Sequence, residues 1–181
     1  MKKLILLTLF LLPLLTFSQE QLGFDIGVVI SGQSHRFGYS VSMDSDGSHV
    51  AIGAIGGPVR IYSWDGSAWN QLGNDILEPF YGTHMAISID SDGSHVAIGA
   101  IGGDGGGNNS GNVRIYSWDG SAWNQVGNDI DGEASNDRSG YSVSIDSDGS
   151  HVAIGAYQND GSASNAGHVR IYSWDGSAWN Q

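Results

Sequence analysis

Cysteine is absent from the 181 residues, proline occurs three times, and lysine stands only at positions 2 and 3. Without cysteine there is no disulfide scaffold, no thiol nucleophile, no thiolate for zinc and no lipidated cysteine for a lipoprotein anchor. Twenty-eight glycines against three prolines also exclude collagen. Positive charge is scarce: seven Lys and Arg face 19 Asp and Glu, for a formal net charge of −12. Such a chain has no electrostatic footing on a nucleic-acid backbone or an anionic membrane surface. Large apolar rings are not lacking. Six Trp, seven Tyr and five Phe can fill a core, which excludes wholesale disorder.

One apolar run stands out, at the amino terminus. Lys2 and Lys3 precede Leu4 to Phe17, interrupted by Thr8, Pro13 and Thr16, and Ser18 and Gln19 follow. Basic end, short apolar middle and small residue at the cut are the order of a secretory signal, read here over 1–18. A spanning helix needs roughly 20 apolar residues, more than this run supplies. Residues 19–181 are therefore expected to be secreted or held at the cell surface, with no membrane span after signal removal, and they amount to one domain.

The remainder is repetitive. Val-Arg-Ile-Tyr-Ser-Trp-Asp-Gly-Ser-Ala-Trp-Asn-Gln begins at Val59, Val113 and Val169, and Ser-Asp-Gly-Ser-His-Val-Ala-Ile-Gly-Ala begins at Ser45, Ser91 and Ser147. The period is about 50 residues, within the range of repeat architectures, and divides the chain into copies over approximately 21–70, 71–124 and 125–181. Inside a copy the apolar residues alternate with period two: Tyr141, Val143 and Ile145, then Val152 and Ile154, then Val169 and Ile171. That is the pattern of strands, four per copy counting a short one at Trp179. Asp148-Gly149 and Asp175-Gly176, with their counterparts, mark hairpins. The Trp-Asp-Gly-Ser-Ala-Trp hairpin is open to two registers, with either Tyr172 or Trp174 opposite Trp179.

Four antiparallel strands per 40–50 residues is the arithmetic of a β-propeller blade. The expected fold class is all-β, with three four-stranded blades belonging to a larger propeller. In an up-and-down sheet the connections alternate between two faces. Gly73 to Thr83, Ile101 to Asn112, Gly127 to Ser139 and Tyr157 to His168, the long and variable ones, share one face. The pattern breaks off at Gln181 where another Gln-Leu-Gly string is due, so the reading ranks a piece of a longer array ahead of two chains assembling into a six-bladed ring or an open arc prone to self-association.

Phe37-Gly38 before the first strand, Gly53-Ala54-Ile55 after the second, and Ser139-Gly140 with Gly155-Ala156-Tyr157 in the third copy resemble the FG-GAP repeat of integrin-α-type propellers and of many secreted bacterial proteins. The middle copy keeps Gly99-Ala100-Ile101 but carries His84 in place of the glycine. The resemblance implies a calcium-binding loop between the first two strands, onto which Asp44 and Asp46, Asp90 and Asp92, and Asp146 and Asp148 fall. The outer ligand positions hold Ser42 and Val50 and their counterparts, so calcium is a possible weak ligand and a plain acidic hairpin the alternative. Trp64-Asp65, Trp118-Asp119 and Trp174-Asp175 match the WD-type propeller only superficially, because each enters a hairpin.

Candidate contacts to a ligand are the polar residues of the long-loop face: Asp104, Asn108 and Asn109; Asp129, Asp131, Glu133 and Asp137; Asp160 and Asn165. Carboxylates and amides there suit sugars, cations or a basic partner, and the same residue types also make turns. The paired tryptophans recur in every copy, which points to packing between blades. His49, His95 and His151 recur likewise and read as strand residues. No nucleophile relay or phosphate loop stands out. The expected role is a non-catalytic module for adhesion or for binding an extracellular protein or glycan; a structural repeat of a large surface protein comes second and a carbohydrate-active propeller third.

Overall fold

The computed structural model describes residues 21–27, 36–77 and 84–181. The leader read over 1–18 and part of the 73–83 loop lie outside them. Every regular element described is a strand. The first unit forms β1 (Phe37–Met43), β2 (His49–Ala54), β3 (Val59–Trp64) and β4 (Trp69–Gln71); the second forms β5 (Met85–Ile89), β6 (His95–Ala100), β7 (Asn112–Trp118) and β8 (Trp123–Gln125). β9 (Ile130–Asp131) pairs further along β7. The third unit forms β10 (Ser139–Ile145), β11 (His151–Ala156), β12 (His168–Trp174) and β13 (Trp179–Asn180). Each unit is an antiparallel meander in chain order, a propeller blade, and among the described residues the blades do not close into a ring.

Hairpin chemistry sets the register left open by the sequence. Asp65 Oδ1 accepts the amides of Ser67 and Ala68, both at 2.8 Å, and Asp65 N donates to Ala68 O. The carboxylate thus holds a four-residue loop, and Trp64 lies opposite Trp69, as Trp118 lies opposite Trp123 and Trp174 opposite Trp179. Each ring pair sits 5.4–5.5 Å apart. Glycine at the start of a blade also has a definite task. Gly38 (φ 84°) and Gly140 (φ 81°) occupy the bulges at the start of β1 and β10, where an L side chain is strained. With His84 there instead, β5 pairs in unbroken register and is two residues shorter than either.

The core lies between sheets. Ala51, Val59 and Ile61 of the first meet Met85, Ile87, Ile89, Val96 and Ile98 of the second. Ala97, Val113 and Ile115 of the second meet Ile145, Val152 and Ile154 of the third. Burying each such Val or Ile is worth about 1.5–3 kcal/mol before ordering entropy.

Polar contacts repeat at the two seams. Ser45 N donates to Ser91 O (3.1 Å) and Ser91 N to Ser147 O (3.3 Å), and Ser42 and Ser88 hydroxyls accept the amides of Ile89 and Ile145, both at 3.1 Å. Trp123 Nε1 donates to Leu72 O (3.0 Å) and Trp179 Nε1 to Val126 O (2.9 Å), so the tryptophans join blades, as their recurrence implied. The outer strand runs on past β4: Leu72 N donates to Ile61 O, and Ile76 exchanges two hydrogen bonds with Val59.

Candidate functional site

The meander puts the second-to-third and fourth-to-first connections on one face, and two of these loops build a common roof. Asp104 Oδ1 accepts the amide of Asn109 (2.7 Å), whose left-handed backbone (φ 51°) turns the chain. Asp160 does the same for Asn165 (2.6 Å, φ 52°). Asn136 N donates to Asn108 O and Gly132 N to Gly111 O, tying the 131–139 loop onto the 101–112 loop.

The remaining acids of the face have internal partners too. Asp129 takes both Nε and Nη2 of Arg114 (2.8 and 2.7 Å) and the amide of Gln125 (2.8 Å). The hydrogen bond from Arg114 holds its carboxyl below the ordinary range against the opposing effect of burial. Asp131 is pushed the other way, by burial and then by repulsion from Asp129. Glu133 pairs with Arg170, and His168 lies 3.7 Å away. Asp137 is buried and accepts from the Asn159 amide (2.7 Å) and Ala134 N (3.1 Å). The loops that carry Asp104, Asn108, Asn109, Glu133 and Asp137 are thus bonded to one another, Asn159 beside Asp160 reaches Asp137, and Asp129 and Asp131 lie along the outer strand against Arg114 and Asn112, so the acids hold the loops in shape.

Where the first strands begin on that face lies a cluster that sequence reasoning did not find. The His84 ring stacks on Tyr141 (4.4 Å, 9° between planes), meets Tyr39 edge-on (5.3 Å) and lies within 2.7 Å of the Tyr39 hydroxyl through Nδ1. Tyr157 packs on Tyr141 at 4.5 Å. The three tyrosines remain 43–47% exposed, so they form an open aromatic strip across all three blades. The signal available in the sequence was the substitution of His84 for a glycine.

On the opposite face the first two strands of each blade are joined by an acidic turn. Asp44 Oδ2 meets His49 Nδ1 (2.7 Å) and the Ser48 hydroxyl (2.9 Å), and Asp46 Oδ1 accepts Ser48 N (2.9 Å). Burial pushes the Asp44 carboxyl up, but the bonds from His49 and Ser48 outweigh it and leave its pKa lowered. Asp90 and Asp92 form the same arrangement, and Asp146, Asp148 and His151 place their ligand atoms within 4.8 Å of one another. Oδ1 of Asp44 and of Asp90 is buried without a hydrogen-bond partner. Calcium takes six to eight hard oxygens. Two carboxylates per loop, one of them engaged by a histidine nitrogen, fall short of that set. In these Ser, His and Asp clusters the serine and the histidine converge on one carboxylate and recur in each blade, unlike a relay in which histidine stands between the other two.

Three equivalent clefts open at the outer rim. Asn128, Asp129, Ile130, Asp131, Tyr172, Ala178 and Trp179 line the first, of about 320 Å³. The second (about 250 Å³) lies beside Asp75, Tyr116 and Trp123, and the third (about 220 Å³) beside Asp25, Tyr62 and Trp69.

This blade pattern matches a known repeat. Residues 129–172 match the FG-GAP repeat. The match runs from β9, through the connection that follows it, into β12, and the first two units share the strand strings of the third. No curated protein matches the sequence. Among solved structures, a candidate 6-phosphogluconolactonase of Bacteroides uniformis superposes with a TM-score of 0.52 at 10% identity, over 77% of this chain and 37% of that one. Its counterpart from Bacteroides fragilis gives 0.51 at 13% identity, over 75% and 34%. The chain thus spans about a third of those proteins, and the likeness is one of fold. A fucose lectin of Kordia zhangzhouensis in complex with methyl-fucoside is 22% identical over 78% of this chain and 94% of its own, with a TM-score of 0.39.

Proposed function

We propose that the chain is a non-catalytic binding module, exported and used outside the cell, that takes an extracellular glycan or glycan-bearing protein on its long-loop face. The observation that carries this reading is the strip of Tyr39, His84, Tyr141 and Tyr157, with its three tyrosines exposed, on the side of the blades from which the polar loops holding Asp104, Asn108, Asp160 and Asn165 extend. Flat aromatic surface accepts the apolar side of a sugar ring, and neighbouring carboxylates and amides bond to its hydroxyls. Carboxylates already hydrogen-bonded at one oxygen keep further lone pairs for a ligand.

A second reading rests on the rim clefts. Each combines Trp, Tyr and a carboxylate, so three such clefts would give weak but multivalent binding. Glycan-array binding of two double variants, beside the wild-type chain, separates the two readings. Tyr141→Ala with Tyr157→Ala should abolish the signal while the melting midpoint stays within a few degrees. Ala122→Phe with Ala178→Phe, which fills two clefts, should leave it intact. The reverse outcome moves the site to the rim, and a wild-type chain that binds no glycan or glycoprotein refutes both.

A further inference from the structure

The end sheets expose what the inner seams bury. Val169 and Ile171 on β12 are 68% and 62% exposed, whereas Val59, Ile61, Val113 and Ile115 at the same positions are 0–1% exposed. At the other end Val41 and Met43 on β1 are 62% and 54% exposed, against 7% for Ile87 and Ile89 on β5. The first surface is the kind that receives a following blade, and the second is the kind that covers a preceding one.

Residues 21–26 carry a matching half-structure. Gln-Leu-Gly-Phe-Asp-Ile repeats the pattern of Gln71 to Ile76 and of Gln125 to Ile130. The segment already sits on the first blade as those segments sit on the second and third. Trp69 Nε1 donates to Leu22 O (3.3 Å), Gly23 lies against Trp64 and Trp69, and Ile26 packs on Val50, Ile52 and Tyr62. Gln21 donates to Asp25 (2.8 Å) as Gln71 does to Asp75 (2.9 Å). In the first two blades the aspartate then takes a bidentate arginine: Asp75 from Arg60 and Asp129 from Arg114. Asp25 makes no ion pair among the described residues, and Arg170, the third such arginine, is turned to Glu133 and the Tyr172 hydroxyl.

We infer that a second copy of this chain docks head to tail, its 21–26 segment completing the outer edge of the third blade and its first blade covering Val169 and Ile171. In that contact Ile26 of the second copy lies opposite Val169, as Ile76 lies opposite Val59 and Ile130 opposite Val113. Leu22 meets Ile171, and Asp25 reaches Arg170. The internal seams supply the template, the exposed apolar residues the driving force, and the Asp25 and Arg170 charges the register. Such a contact is heterologous, so it either closes, here as a six-bladed ring, or propagates.

The natural lack of cysteine gives a clean test. Ile26→Cys chains mixed with Val169→Cys chains and oxidised should yield a disulfide-linked pair. Val169→Cys mixed with Ser177→Cys, an exposed control, should not. Adding Ile171→Asp to the Val169→Cys chain should abolish the link. Light scattering of the wild-type chain recovered from cells, which depends on no variant folding, should give twice the chain mass or a larger assembly that Ile171→Asp reduces to monomer. A monomeric wild type, or cross-linking no faster than the control, overturns the inference.

Discussion

Gly127 offers a quantitative probe of how one blade grips the next. It sits at φ 72°, and a methyl group built there would stand 2.6 Å from Trp174 Cζ3 and 3.2 Å from Trp179 Cδ1. Gly127→Ala therefore meets two costs. The left-handed backbone costs an L residue about 1–2 kcal/mol, and forcing a methyl into a packed aromatic joint adds about 1–3 kcal/mol. The sum is roughly 2–5 kcal/mol, and at about 2–4 °C per kcal/mol for a chain of this size the midpoint should fall by roughly 4–20 °C. Gly176→Ala is the matched control: its φ is 96°, but nothing lies within 4 Å of the added methyl. It should lose only the backbone cost. Urea melts of both variants with equal m-values measure the difference directly. Equal losses would refute the idea that the tryptophan pair holds the preceding blade by close contact with this glycine.

Two further outcomes follow. Asp65, Asp119 and Asp175 have carboxyls lowered to about 2 by the amides of Ala68, Ala122 and Ala178 and by neighbouring Ser and Asn donors. A folded-state value below the unfolded one contributes stability above the unfolded pKa and loses it as pH falls through the folded value. Stability should thus decline from about pH 4 toward pH 2, with the hairpin carboxylates titrating last by NMR; ordinary titration near pH 4 would contradict the hairpin geometry. Melting midpoints with calcium and with chelator should coincide, because the acidic turns are held by their own Ser and His donors; a calcium-dependent rise would show that the carbonyls complete a site.

The sequence was most legible where one chemical cue acts locally. Period-two alternation and Asp-Gly turns sufficed for the strands and their order, and connection length sufficed for the loop face. The hairpin register was not legible because Tyr172 and Trp174 are both aromatic, and only the bonds from Ser67 and Ala68 to Asp65 distinguish them. The partners of the loop acids were hidden for a different reason. Arg170 and Glu133 lie 37 positions apart and meet only when the third sheet folds back beneath the preceding loop. His84 read as a missing glycine, and its stacking on Tyr141 needs two sheets in place first.

The seams themselves are nearly interchangeable: the serine amides, the tryptophan donors and the apolar faces repeat from one to the next. A refolding chain could seat its third unit on its first with almost every contact satisfied. What differs is overhead, where Gly111 bridges Ser139 and Asn136 N reaches Asn108 O. The variable loops then act as address labels, admitting one order of assembly among units whose walls cannot tell each other apart.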